Sequence, residues 1–149
     1  NGTYHLMRGT FFLNNESIPH KEKLFNSTLD YVQSEKMFKN SNGEGCYDLD
    51  AVFLLYKLSN ILPNKRKEEL SSFAKKRLLN LLKRKNSDGL YGYFIEYSKD
   101  NHNYYFVGPK KKDSSDIQGV VLYLTVINYL SKILYPDLEI PWQASLTHG

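Results

Sequence analysis

Carboxylates stand at the start of two stretches of this chain that have helical patterning. Asp48 and Asp50 open the first stretch, Asp116 opens the second, and Glu44 and Glu96 lie close by in the sequence. Crowded carboxylates raise one another's pKa, and a pair with one protonated and one ionised member can act as general acid and general base. Such a pair suits cleavage of a glycosidic bond or protonation of an alkene without a metal ion. We therefore predict Asp48, Asp50 and Asp116 as catalytic residues and the two glutamates as ligand-binding residues.

The same aspartates also have a purely structural explanation. Asp is favoured at the first residues of a helix, where its side chain accepts hydrogen bonds from free backbone amides and its charge meets the positive end of the helix dipole. Sequence alone leaves both interpretations open, because it cannot show whether these carboxylates converge on one cavity.

Aromatic residues are frequent, with twelve Tyr, eight Phe and one Trp among 149 residues. Tyr91, Tyr93 and Tyr97 belong to one aromatic run, and a second run follows the polar segment 99–103. Two such runs around a polar turn predict a small β-hairpin before the last long helix. We expect these three tyrosines and Tyr47 to bind ligand, because aromatic walls suit sugars and isoprenoids. The alternative is that the hairpin only packs on the helices.

Metal and nucleophile chemistry have little support in the residue types. Cys46 is the single cysteine, so the chain has no cysteine-rich zinc module and no intrachain disulfide. The four histidines are scattered without the spacing of metal ligands, and no local signature of a catalytic Ser or Cys is present. We expect no metal site and no cofactor.

Basic residues are concentrated in one part of the chain. The formal net charge is +4, yet the segment 65–85 alone contains nine Lys and Arg against two Glu. A solvated outer helix face explains this cluster, and a surface that binds an anionic partner is the alternative. No DNA- or RNA-binding motif accompanies the cluster, so a nucleic-acid partner is not expected.

Four helices are predicted, and their character alternates. Helices over about 17–35 and 65–84 have one apolar stripe each, which is typical of outer helices. Helices over about 48–62 and 115–134 are apolar on most sides, which is typical of buried inner helices. The segment from Tyr4 to Leu13 suits either a short helix or a strand. We predict a mainly α fold of outer and inner helices in alternation.

Length and hydropathy set the broad class. A chain of 149 residues suits a single domain. No uninterrupted apolar run reaches the roughly 18–20 residues that a membrane span needs, and no signal peptide is visible. We expect a cytoplasmic protein with no membrane span.

The end of the third predicted helix carries a family resemblance. The segment 81–92 reads Leu-Leu-Lys-Arg-Lys-Asn-Ser-Asp-Gly-Leu-Tyr-Gly. It resembles the repeat of terpenoid cyclase and protein prenyltransferase α/α toroids, where an outer helix ends in a Gln-containing turn followed by Asp-Gly-Gly-aromatic. Lys85 takes the place of Gln, and Leu90 takes that of the second Gly. In such a turn we expect Gly89 to adopt positive φ and Asp88 to accept from the backbone amides that follow it.

A second similarity lies at the start of the first inner helix. The segment 44–47, Glu-Gly-Cys-Tyr, is similar to the Asp-Gly-Cys-Tyr segment of the protein prenyltransferase catalytic subunit, whose Asp and Cys help to bind zinc. The third zinc ligand of that family would fall within 115–119, which contains no His. The segments 45–51 and 114–116 are also similar to uncharacterised bacterial toroid proteins. The resemblance therefore implies the fold without the zinc site.

The resemblance implies a partial toroid. In these proteins the amino-terminal ends of the inner helices surround one mouth of a central cavity, where the acids and tyrosines named above would lie. A closed toroid needs more helical hairpins than the two found here, so we expect a fragment or C-terminal portion of a larger toroid, or an arc that pairs with another copy. Three functions follow as hypotheses: an acid–base domain that binds a carbohydrate or isoprenoid-like ligand, a non-catalytic scaffold or interaction module, and a module that binds an anionic partner through 65–85.

Overall fold

The computed structural model describes residues 2–34, 45–92 and 115–139, and within these ranges the chain is mainly helical with no strand. The elements are α1 (Gly2–Leu6), a π-helical segment (Met7–Phe12), α2 (Lys21–Gln33), α3 (Gly45–Ile61), α4 (Lys67–Leu82) and α5 (Ile117–Leu134). The mainly α prediction is confirmed, and the ambiguous segment near the amino terminus is helical. The predicted β-hairpin lies, apart from Tyr91, outside the described residues.

Helix α3 is the centre of the fold, as its apolar sequence predicts. Ten of its seventeen residues are buried, and Val52, Leu55 and Leu58 are fully enclosed. It packs against α2 and α5, and α1 also touches it. Burying a side chain of this size contributes about 1.5–3 kcal/mol, so this one helix supplies much of the apolar core.

Helices α3 and α5 run parallel to each other. Gly45, at the beginning of α3, lies beside Tyr123 near the beginning of α5, and Phe53 lies beside Tyr129, which is further along α5. Helix α4 runs in the opposite direction, because Arg77 near its end bonds to Asp48 near the beginning of α3. The amino-terminal ends of α3 and α5 therefore meet at one end of the molecule.

The outer helices α2 and α4 touch each other through charged residues at the start of α4. Lys65 pairs with Glu22 at 2.5 Å, and Arg66 pairs with Asp30 at 2.7 Å. Arg66 also binds Glu69 in the first turn of α4. Exposed pairs of this kind contribute little stability each, but they fix how the two outer helices sit beside one another. Helix α3 is enclosed, as predicted for an inner helix, and α2 and α4 each bury one face, as predicted for outer helices.

Two helices begin later than their sequence signals predict. Helix α2 begins at Lys21 rather than near Ser17, and α4 begins at Lys67 rather than at Lys65. The residues before these starts, His20 and Arg66, have left-handed backbones with φ of 52° and 44°. Pro19 and His20, and the segment 63–66, therefore form turns that precede the two helices.

A row of aromatic rings joins the first helix to the last. Tyr4 of α1 meets the ring of Phe53 edge-on at 5.2 Å between centroids, and Phe53 meets Tyr129 of α5 at 5.8 Å. Tyr56 stacks on Tyr129 from the next turn of α3. Such pairs add about 0.5–1.5 kcal/mol each beyond the area they bury.

Helix α5 is less enclosed than an inner helix was expected to be. Ile117 is 85% exposed, and Val121 and Leu124 on the same face are also exposed. Its 18 residues have a mean hydropathy of 1.4, so by length and composition it is the one described helix that could cross a membrane. The sequence predicted no membrane span because no uninterrupted run of apolar residues is long enough. A mean over 18 residues gives a different result, because it allows polar residues such as Asn128 and Lys132 within the window. The core helix of a globular protein passes the same test, so the composition of α5 fits both a core helix and a membrane span.

Candidate functional site at the amino-terminal ends of α3 and α5

A buried ion pair lies where α3, α4 and α5 meet. Asp48, in the first turn of α3, is 2% exposed, and Arg77 of α4 is 4% exposed. The Nε of Arg77 donates to Oδ1 of Asp48 at 2.8 Å, and Nη2 donates to Oδ2. This two-point geometry uses both carboxylate oxygens, which is the strongest form of an Arg–carboxylate contact.

The electrostatics of Asp48 reflect its burial. Desolvation raises the pKa of Asp48 above its ordinary value, while the charge and hydrogen bonds of Arg77 oppose that rise. Arg84, beyond the end of α4, acts in the same direction as Arg77 from further away. A charge at this depth depends on its partner, because leaving one member of a buried pair alone costs several kilocalories per mole, about 3–5.

Two tyrosines lie beside the ion pair. Tyr123 is almost fully buried, and burial together with the nearby charge of Asp48 raises the pKa of its hydroxyl. Its ring lies 5.2 Å from that of Tyr91, which is 3% exposed. The Tyr91 hydroxyl is buried and has no hydrogen-bond partner among the described residues, and burial raises its pKa. Within that part of the chain, Tyr91 is packed by its ring while its hydroxyl is unsatisfied.

The turn that follows α4 binds the beginning of α5. Gly89 has φ of +80°, and the carboxylate of Asp88 accepts from the Leu90 amide at 2.9 Å, as predicted for this turn. The same carboxylate oxygen accepts from the Ser115 hydroxyl at 2.7 Å, and Asn86 donates to that hydroxyl at 3.0 Å. Asp88 therefore closes its own turn and connects it to the segment that leads into α5.

Asp116 caps α5. Its backbone is extended, and its Oδ1 accepts from the Gly119 amide at 2.7 Å, which is the usual N-cap geometry. Its own amide donates to the Tyr91 carbonyl at 3.2 Å. Helix capping, the structural role that the sequence suggests for Asp116, thus engages one of its two carboxylate oxygens.

Asp50 points away from Asp48. The two residues are two positions apart on α3, which places their side chains about 200° apart around the helix axis. Asp50 is 7% exposed, burial raises its pKa, and the charge that acts on it from a described residue comes from His5 of α1. The structure brings Asp48 and Asp116 to the same end of the molecule but does not place Asp50 with them.

The remaining candidates divide into two groups. Tyr47 is half-buried and packs against the core next to Asp48. Glu44, Tyr93, Glu96 and Tyr97 lie outside the described residues, so their predicted ligand-binding role stays a prediction.

The basic segment 65–85 is less available than its sequence indicates. Lys65 and Arg66 are paired on the surface with acids of α2, and Arg77 is buried against Asp48. Three consecutive bases, Lys83 to Lys85, follow the last turn of α4 and are exposed. Some bases of this segment therefore form ion pairs within the fold, and the three at its carboxyl-terminal end form an exposed cluster.

Two surface pockets formed by described residues lie away from these groups. One has a volume of about 210 Å³ and lies between the π-helical segment and the end of α3, lined by Phe11, Phe12, Ile18 and Ile61 with polar neighbours. The other is a shallow depression on the outside of α2. Neither includes any residue predicted to be catalytic. Among the described ranges, no three His, Cys, Asp or Glu side chains are grouped so as to hold a metal ion.

Sequence reasoning missed the two residues that surround Asp48. Arg77 was counted as part of the basic face, although its spacing from Phe73, Ala74 and Leu81 places it on the apolar stripe of α4. A charge on an apolar stripe is a signal of a buried partner, and it could have identified the pair. Tyr123 has no comparable signal, because its neighbours in sequence are uniformly apolar.

Comparisons with protein-family models, with curated proteins and with solved structures found no match to this chain. The resemblance to the toroid superfamily thus stays an expectation that depends on the short motifs alone.

Proposed function

We propose that this chain is a non-catalytic helical scaffold that acts by binding a partner at its surface, with its helices arranged as two stacked α/α hairpins of the kind found in toroids and solenoids. The hairpins are α2 with α3 and α4 with α5. The parallel course of α3 and α5, and the contact of α2 with α4, support this arrangement.

The observation that carries the proposal is the engagement of Asp48. Both of its carboxylate oxygens accept hydrogen bonds from Arg77, and the pair is almost fully removed from solvent. A general acid or base must come within hydrogen-bond reach of its substrate. A carboxylate whose oxygens are both bound at this depth is suited instead to joining α3 to α4.

The other predicted catalytic residues support the same conclusion. Asp116 uses one oxygen to cap α5, and Asp50 lies on a different side of α3 from Asp48. Acid–base catalysis by paired carboxylates requires the two groups to flank one reacting bond. Asp116 instead caps a helix, and Asp48 joins two helices through Arg77.

The test compares ligand binding with folding. We would measure thermal unfolding of the wild type, Asp48→Asn and Asp116→Asn, each with and without farnesyl diphosphate or a chito-oligosaccharide. Asp30→Asn is the matched control, because Asp30 is an exposed aspartate in a surface ion pair. We expect Asp48→Asn to lower the melting temperature strongly, Asp116→Asn to lower it slightly, and neither probe to raise that of the wild type.

A probe that binds the native state raises the melting temperature by an amount that grows with its concentration. If one probe stabilised the wild type and Asp30→Asn but not Asp116→Asn, which is expected to remain folded, a ligand site at this end would exist and the proposal would be wrong.

A further inference from the structure

Exposed apolar side chains occur on the described elements at the end of the molecule where α4 ends and α5 begins. They are contributed by the last turns of α4, the turn after it and the first two turns of α5: Leu79, Leu82, Leu90, Ile117, Val121 and Leu124. Hydrogen bonds of the turn to Ser115 and Asp116 hold these elements together. We call this group the apolar edge.

Three exposed bases lie within the same region. Lys83, Arg84 and Lys85 follow α4 directly, between Leu82 and Leu90 in the chain, and none of them forms an ion pair with a described residue. A single cation in the last turn satisfies the negative end of a helix dipole, so three in succession exceed that requirement. Apolar and basic side chains are thus interleaved along the chain at the end of α4, and the turn that follows bonds to the beginning of α5.

We propose that the apolar edge, together with Lys83, Arg84 and Lys85, docks this chain onto an anionic lipid surface. Apolar side chains enter the interface between headgroups and acyl chains, while Lys and Arg remain at the level of the anionic headgroups. This inference rests on the proposed function, because it names the partner of the scaffold.

The shape of the surface favours lipid over a folded protein partner. A stable protein interface buries about 800 Å² per partner with close complementarity, and its strongest contacts fill pockets. The apolar edge instead presents separate side chains from three elements, and neither described pocket includes any of them. A lipid interface accepts such protruding side chains without a complementary shape.

The experiment is co-sedimentation of the full chain with vesicles of phosphatidylcholine alone or of phosphatidylcholine with phosphatidylserine. We expect binding to the anionic vesicles that weakens with added salt. Neutralising two bases in Lys83→Gln/Lys85→Gln should reduce partitioning by roughly twenty- to thirtyfold, at about fivefold per charge. The double variant Ile117→Ser/Val121→Ser should reduce it by about tenfold or more.

Matched controls change the same residue types elsewhere. Leu13→Ser removes an exposed apolar side chain next to the π-helical segment, and Lys21→Gln/Lys23→Gln removes two exposed bases from α2. Both should bind vesicles as the wild type does. Since all the substituted side chains are exposed, the melting temperatures of the variants should stay close to that of the wild type.

The possible results separate this inference from the proposed function. Absence of vesicle binding, or equal binding to both vesicle types, would overturn the lipid inference. A second experiment measures binding of the chain to immobilised polyglutamate. If the chain binds and Ile117→Ser/Val121→Ser binds equally well, the site is a purely ionic one for acidic macromolecules. That result would also overturn the lipid inference. None of these results bears on the scaffold proposal, which fails if the diphosphate or saccharide probe stabilises the wild type and Asp30→Asn but not Asp116→Asn.

Discussion

Gly45 lies directly against the ring of Tyr123, so that a Cβ at position 45 would come within 3.2 Å of Cε2 and 3.3 Å of Cζ. The ring has little room to retreat, because Tyr123 is buried and Tyr91 covers it. Any larger residue at position 45 therefore requires the buried ring of Tyr123 to move by a few tenths of an ångström.

We predict that Gly45→Val destabilises the fold, because the branched side chain must displace a buried ring. Overpacking of this kind costs about 1–3 kcal/mol. Denaturant unfolding followed by far-UV circular dichroism measures the loss. Gly9→Val is the control, since a Cβ there meets nothing within 4 Å, and a similar loss in both variants would show that backbone propensity, not the contact with Tyr123, is responsible.

The Asp48–Arg77 pair predicts a strongly non-additive response to substitution. Asp48→Asn leaves a buried guanidinium without its counter-charge and should cost about 3–5 kcal/mol, whereas Asp48→Leu/Arg77→Met should cost far less, since apolar replacement of a buried pair is often neutral. Denaturant unfolding of Asp48→Leu, Arg77→Met and their double variant gives the coupling energy. Asp30→Asn, in an exposed pair, should cost less than about 1 kcal/mol. Equal costs for the two single Asp variants would contradict the burial of Asp48.

The unsatisfied hydroxyl of Tyr91 predicts a stabilising substitution. Tyr91→Phe keeps the ring on Tyr123 and removes a buried polar atom that has no partner, so the free energy of unfolding should rise by about 1 kcal/mol. Thermal and denaturant unfolding both measure this change. The exposed Tyr135 provides the control, and Tyr135→Phe should leave stability unchanged. A clear loss of stability in Tyr91→Phe would mean that the hydroxyl has a partner in solution.

The buried tyrosines predict how stability changes at alkaline pH. Burial raises the pKa of Tyr129 to about 12, from an ordinary value of 10.0, and nearby Tyr4 and Tyr56 contribute to the rise. The folded state therefore holds this proton more tightly than the unfolded state does. Its contribution to stability is fully present below pH 10 and is lost as the pH rises from 10 to about 12.

Denaturant unfolding across this pH range tests the assignment. Tyr129→Phe should lose less stability than the wild type between pH 10 and about 12, because its side chain has no proton to release. Tyr31→Phe is the control, since Tyr31 is exposed, and it should follow the wild type. Parallel curves for the wild type and Tyr129→Phe would show that Tyr129 does not carry the alkaline loss.

The helices and their layering were predictable because they depend on periodic burial. The absence of charge between Asp50 and Lys57 indicated that α3 is enclosed, and the single stripe of α4 indicated an outer helix. The positive φ of Gly89 and the hydrogen bond of Asp88 to its own turn were also predictable, because local chemistry sets them.

The surroundings of the candidate site were not predictable in the same way. Asp48 and Arg77 are 29 residues apart, and no local rule joins them. The helix starts at Lys21 and Lys67 follow residues with left-handed backbones, His20 and Arg66. Histidine adopts this conformation more often than most residues, whereas arginine has no such preference, so residue type alone does not place both starts.

The aromatic row from Tyr4 through Phe53 to Tyr129 has a consequence for the order in which this molecule can form during synthesis. Phe53 of α3 must wait for its contact with Tyr129 of α5, which leaves the ribosome more than seventy residues later. Until then the face of α3 that packs on α5 stays open, and chaperones that hold apolar segments have a target. Nascent chains arrested before Ile117 should therefore be protease-sensitive throughout, and resistance should arise in one step once α5 has emerged.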